Sequence, residues 1–235
     1  FTFILQGVQE LFTSFKKLGI SYGCYLVHGK KKPALAELMK KAVCVVSDDY
    51  PSFVTPQLNA AVAQQCPASY FIVDSCTTVP MRFFQQQALS AATIRSQIYK
   101  VLPEALEEVP LPLLQRKKAF SYPAYFLPPD FDVAKEASRL HLDHAVRPAS
   151  SPGGEQNAQE RLQQFIAQDL DTYAATKNDP TLQRTSRLSP YLHYGMISPL
   201  AIALQVLHTK KLTVERCFNS LITPESVRLF LDELI

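Results

Sequence analysis

Two short apolar runs, residues 42–46 (Ala-Val-Cys-Val-Val) and 70–73 (Tyr-Phe-Ile-Val), alternate with stretches of helical periodicity, and this alternation constrains the fold most. The first run suits a strand buried on both faces, and the second reads as another strand. Residues 22–27, rich in aromatic and β-branched side chains, read as a further strand. Between and around them lie expected helices. The first places Ile4, Val8, Leu11, Phe12, Phe15 and Leu18 on one stripe, with Gly19 as its stop. A second starts at Pro33 and runs to about Lys41, and a third covers 57–65. The expectation is an α/β fold with a doubly wound parallel sheet. Asp48, Asp49 and Asp74 fall just after two of the strands, at the sheet edge where ligands bind in open α/β sheets. Capping of the following loops explains the same acids equally well. No GxGxxG is present, so a dinucleotide fingerprint is absent.

The character changes after about residue 110. Prolines recur at 112, 123, 128, 129, 148 and 152, interleaved with Tyr122, Tyr125 and Phe126 and closing on Ser150-Ser151-Pro152-Gly153-Gly154. This reads as an interdomain connection, part of it packed on the domains rather than free, with the cluster Arg116-Lys117-Lys118 as a solvated face or a phosphate contact. Helical patterning resumes over 155–176, with Ala158, Leu162, Phe165, Ile166, Leu170 and Tyr173 on one stripe, and breaks at Asn178-Asp179-Pro180. Further helices are expected over 188–194 and 197–207, and a last one from Pro224 with Thr223 as its N-cap. The expected organisation is therefore an α/β domain over 1–110, a linker over 111–154, and a helical domain over 155–235. Two domains fit a length of 235 residues. The chain begins at Phe1 inside a helical pattern and stops at Ile235 inside another, so both ends read as truncations.

Composition narrows the class further. The 47% hydrophobic and 19% charged content is that of a globular protein, not a disordered one. A net charge of +3 neither demands nor excludes nucleic acid. Five scattered cysteines without CxxC spacing point to reduced intracellular thiols, in the cytoplasm if the source is bacterial, with an organelle or nucleus equally open. No apolar run approaches the ~18 residues of a membrane span. His28, His141, His144 and His208 form no metal-ligand arrangement, and His193 is expected to pack within its helix.

The stretch that carries chemistry is residues 173–199. Thr185, Ser186, Arg187 and Ser189 place three hydroxyls and a guanidinium at the start of an expected helix. Free N–H groups and the helix dipole favour an anion there, and the hydroxyls can complete a phosphate cradle. A plain N-cap from Ser186 or Ser189 accounts for the same residues. The string itself is more specific. Thr185-Ser186-Arg187-Leu188-Ser189-Pro190-Tyr191-Leu192, followed by Gly195 and Ile197-Ser198 and preceded by Tyr173 and Asn178-Asp179-Pro180, resembles the FAD-binding signature of photolyases and cryptochromes. By that resemblance Tyr173, Thr185, Ser186, Arg187, Leu188 and Ser189 hold the phosphate and ribityl part of FAD.

Two other segments agree. Val73-Asp74-Ser75-Cys76-Thr77-Thr78-Val79-Pro80 and Ala91-Ala92-Thr93-Ile94-Arg95 are similar to segments of the class II photolyases of cyclobutane pyrimidine dimers, although Ser75, Cys76 and Thr77 depart from the usual residues. The run ending Leu231-Asp232-Glu233-Leu234-Ile235 resembles the family helix whose glutamate contacts the lesion, which implies that role for Glu233. The resemblance implies an incomplete antenna-type α/β domain followed by the start of an all-α FAD-binding domain, in a monomeric chain. It also implies a second antenna chromophore of unidentified kind, UV-damaged DNA as partner, and light-driven splitting of the dimer by an electron from reduced FAD. The chain contains no tryptophan, so it lacks the family's tryptophan relay, and by itself it is not expected to repair DNA. A cryptochrome-type photoreceptor and a nucleotide-binding α/β module without flavin are the alternatives.

Overall fold

The computed structural model describes residues 1–27, 33–107, 120–219 and 221–235. His28, Pro112 and the cluster Arg116-Lys117-Lys118 lie outside them. Ten α-helices and two strands occur among the described residues: α1 (Thr2–Lys17), α2 (Ala34–Met39), β1 (Cys44–Asp48), α3 (Thr55–Gln65), β2 (Ser69–Val73), α4 (Ala91–Ala105), α5 (Val133–Ser138), α6 (Glu155–Gln168), α7 (Tyr173–Thr176), α8 (Ser189–His193), α9 (Pro199–Thr209) and α10 (Glu225–Leu234). They belong to two compact units, one built from residues 1–35 and 110–160, the other from 36–109 and 161–235.

In the first unit the apolar stripe of α1 does what its spacing dictates. Leu5 and Phe12 are buried with Phe131, and Val8, Tyr22, Leu26, Leu127 and Ala137 pack around them. The chain leaves α1 through Gly19 at φ 69, a left-handed conformation that glycine adopts without Cβ strain. Gly153 approaches α1 so closely that a Cβ there would lie 1.9 Å from the Phe3 carbonyl oxygen, while its N–H donates to Gln6 Oε1 at 2.8 Å. The glycines that look like a linker in sequence are thus a packing contact. The supposed connection also contains α5, capped by Asp132, which accepts from the Lys135 N–H at 3.0 Å.

Residues 22–27 form no strand, contrary to the sequence expectation. Their aromatic character serves packing instead: the Tyr22 ring meets Phe12 edge-on at 4.9 Å, and the Cys24 carbonyl accepts from the Leu127 N–H.

The second unit contains the sheet and most of the helices. β1 and β2 pair in parallel with Cys44 opposite Ser69 and Asp48 opposite Val73, and α3 makes the crossover. Asn59 of α3 ties both strands: it donates to the Asp48 carbonyl and accepts from Ser47 Oγ and Tyr70 OH. This is α/β architecture, with a sheet of two strands among the described residues. The expectation that the first strand is buried on both faces fails. Val46 is 60% and Phe71 55% exposed, since no second layer covers the sheet among the described residues.

The helical part is better closed. Leu162, Phe165, Leu170, Ile202, Val206 and Val227 are fully buried. The stripe expected over 155–176 is present but interrupted, passing from α6 through a 3-10 turn at Leu170–Thr172 into α7. α10 packs against α7 and α9. Thr223 does not cap α10, as its hydroxyl donates to the Arg216 carbonyl at 2.7 Å and Pro224 holds the cap position.

Candidate functional site

The cavity that matters lies wholly in the second unit, between α7, the loop 185–189 and α10. Its volume is about 330 Å³, and its walls include Tyr173, Thr185, Ser186, Arg187, Leu188, Ser189 and Glu233. Every residue singled out from the sequence as cofactor-binding or lesion-contacting therefore meets at one cavity, although Tyr173 and Glu233 are sixty positions apart. Leu192, Ile202, Phe230 and Leu234 complete it with apolar surface.

Tyr173 is held by packing. Its ring is T-shaped to Phe165 at 5.7 Å and to Phe230 at 5.5 Å, and its hydroxyl donates to Glu233 Oε2. Burial, followed by that bond and the carboxylate's charge, pushes the phenol well above its usual value, so Tyr173 remains a donor at neutral pH. Lys177 Nζ donates to the other Glu233 oxygen. Burial opposes ionisation of Glu233, but the bonds from Lys177 and Tyr173 outweigh it and hold the carboxyl below its ordinary value.

The loop 185–189 owes its shape to two devices. Arg187 sits at φ 54, a left-handed conformation uncommon for a residue with a Cβ, and it reverses the chain between Ser186 and α8. Arg161 on α6 then clamps the preceding backbone, its Nε donating to the Ser186 carbonyl and its Nη2 to the Thr185 carbonyl, each at 2.9 Å. A planar guanidinium suits this double contact in a way that a lysine ammonium does not. Upstream, Asp179 closes the Asn-Asp-Pro turn by accepting from Thr181 N and Oγ1, and these bonds lower its pKa.

The N-cap reading of the serines does not hold. α8 has Leu188 at its cap position without a side-chain cap, and Ser186 Oγ reaches Leu188 N only at 3.5 Å. The helix-dipole argument also weakens, because α8 has only five residues. What lines the cavity is a set of hydroxyls and a guanidinium, a donor set suited to an oxyanion. Arg187 meanwhile donates to Gln183 Oε1.

Sequence reasoning missed Lys177, Arg161 and Phe230. Lys177 stands four positions after Tyr173, on the same helical face, and that spacing was the available signal. Arg161 and Phe230 carry no local sign of their role, since only tertiary packing brings them there.

A second cavity of about 850 Å³ opens at the carboxyl edge of the sheet, lined by Asp48, Tyr50, Ser75 and Cys76 together with Ser189, His193 and Tyr194. His193 is exposed there, contrary to expectation, with its ring edge-on to Tyr194 at 4.6 Å. Of the strand-end acids, Asp74 has the capping role: it accepts from Thr77 Oγ1 at 2.8 Å and from the Met81 N–H at 2.7 Å. Asp48 accepts from Ser75 Oγ at 2.5 Å. Among the described residues no cluster of His, Cys, Asp and Glu could hold a metal ion, and no helix is long and apolar enough to cross a membrane.

No protein-family model matches the chain. Curated relatives do. The chain is similar to the deoxyribodipyrimidine photo-lyase of Potorous tridactylus, at 28% identity over 88% of this chain and 38% of that protein. The Methanothermobacter thermautotrophicus protein of the same name is 26% identical over 87% and 44%, and that of Arabidopsis thaliana 27% over 99% and 46%. The chain thus spans less than half the length of these relatives. Among solved structures, a bacterial class III photolyase from Agrobacterium tumefaciens shares the fold, with a TM-score of 0.63 and 18% identity over 99% of this chain and 47% of that one.

Proposed function

We propose that this chain is a member of the photolyase/cryptochrome family, and that the cavity lined by Tyr173 and residues 185–189 holds the diphosphate and ribityl part of FAD. The observation that carries the proposal is the convergence of all six signature residues on one cavity. The donor set fits. Thr185, Ser186 and Ser189 offer hydroxyls to phosphate oxygens and Arg187 adds a charged donor, while Leu188, Leu192 and Ile202 supply an apolar wall. A volume of about 330 Å³ is at the small end for ligand sites, so these residues grip part of a dinucleotide rather than enclose it.

The activity proposed for the protein that carries this chain is light-driven splitting of cyclobutane pyrimidine dimers in UV-damaged DNA, with FAD supplying the electron when bound. Tyr173 and the loop 185–189 orient the cofactor, and the carboxyl of Glu233 is the group proposed to face the lesion. The larger cavity beside Asp48, Tyr50 and Tyr194 is the place proposed for a second chromophore, since it is aromatic-lined and shares Ser189 and Leu192 with the first. Titration of FAD against the chain and its S186A/S189A variant tests the cradle. Loss of two charge-assisted bonds should weaken retention by at least about tenfold. Equal retention would remove the serines from the site.

A further inference from the structure

The donor assigned to a ligand's phosphate is already engaged by the chain's own carboxylate. Tyr173 OH and Lys177 Nζ, one helical turn apart, each donate to an oxygen of Glu233. A carboxylate and a phosphate offer such a pair the same chemistry, two anionic oxygens able to accept charge-assisted bonds. We infer that Glu233 is an internal anion of the cradle, which holds Tyr173 and Lys177 in the ligand-free chain and competes with a phosphate-bearing ligand for them.

The geometry allows the exchange without moving the helix that carries Glu233. The Glu233 side chain is 48% exposed, so it can turn into solvent. Its neighbours on α10 are fixed. Phe230, one turn earlier, is buried against Phe165 and Tyr173. Asp232, on another face, accepts from Tyr99 OH at 2.6 Å and pairs with Arg95 Nε at 3.2 Å, and Thr78 Oγ1 donates to the Leu234 carbonyl at 3.2 Å. The Tyr99 phenol, pushed up to about 12 by burial and by Asp232, stays protonated and keeps that latch closed across the neutral range. Rotation of one side chain is then the whole event. Turning Glu233 out releases Lys177 Nζ and frees the donor of Tyr173, which lines the cavity together with Arg187. The cavity becomes more positive as its anion arrives.

This inference rests on the reading that the cavity takes a phosphate-bearing ligand, so its test must separate the two. Calorimetric titration with FAD, and with ADP as a diphosphate probe, is made on the full chain, E233Q, Y173F and the Y173F/E233Q double variant. Removing the competing charge should tighten binding by E233Q about tenfold, the scale of one charge-assisted hydrogen bond. The gain should shrink when Tyr173 is absent, since only Lys177 is then released. Should E233Q fold poorly, E233D keeps the charge, draws it back by one methylene and should still bind more tightly than the unaltered chain. Equal or weaker binding by the Glu233 variants, with the unaltered chain binding, overturns the competition while leaving the cradle intact. A gain undiminished without Tyr173 overturns it as well. No binding of either probe by any of the four overturns both.

Discussion

The helical part of the second unit and its two-stranded sheet both carry apolar runs in sequence, yet they end in opposite states. Phe165, Leu162 and Leu170 have no exposed surface, whereas Val46, Phe71, Ile72 and Val73 are each at least half exposed. A helix needs one apolar stripe covered, and α10 packs against both α7 and α9. A parallel strand needs cover on both faces. The sheet lacks that among the described residues and is held instead by its backbone ladder and by the bonds of Asn59 to both strands. The contrast teaches that a residue's hydrophobicity states what it requires, and only tertiary neighbours decide whether the requirement is met. The candidate cofactor cavity stands in the closed region, where Phe165 and Phe230 fix the ring of Tyr173.

Several substitutions would break or sharpen this contrast. Phe165→Ala should cost the most, about 3–5 kcal/mol by chemical denaturation, because it empties a fully buried site and frees the Tyr173 ring. Phe71→Ala on the sheet should cost under about 1 kcal/mol, as surface substitutions generally do; a loss comparable to that of Phe165→Ala would mean the sheet is closed after all. Ser226→Ala should cost about 1–3 kcal/mol, since this buried hydroxyl accepts from Ala174 N and donates to the Asp171 carbonyl, joining α10 to α7. Ser90→Ala should cost about 1 kcal/mol by removing the cap of α4, where Ser90 Oγ accepts from Thr93 N at 3.2 Å. The smallest effect concerns pH. The Glu233 carboxyl lies below its ordinary value, so its contribution is present above the unfolded glutamate range and is lost as pH falls through the folded value. Tyr173, which faces it, is raised by burial and stays protonated in that window. Acid titrations of E233Q should therefore show a shallower fall in stability than those of the unaltered chain.

Much of this was legible in the sequence. The apolar runs at 42–46 and 70–73 locate β1 and β2 to within two residues, and Gly19 ends α1 where expected. The string from Thr185 to Ser189 identified one wall of the cavity. Residues 22–27 misled because aromatic and β-branched side chains serve a loop packed on α1 as well as they serve a strand. Thr223 misled because its hydroxyl met the Arg216 carbonyl before it could cap α10. Lys177 was within reach of a helical-face argument from Tyr173. Arg161 was not, since nothing local to it announces that it will clamp two carbonyls across the fold.

The central claim is that the loop 185–189 and Tyr173 form a cradle for the phosphate end of a flavin dinucleotide. Hydrogen exchange of the chain with and without FAD, resolved to short peptides, tests it most directly. The account predicts slowed exchange over residues 185–192, with little change over β1 and β2. Unchanged exchange in the loop while FAD is bound, or protection confined to the sheet, would contradict it.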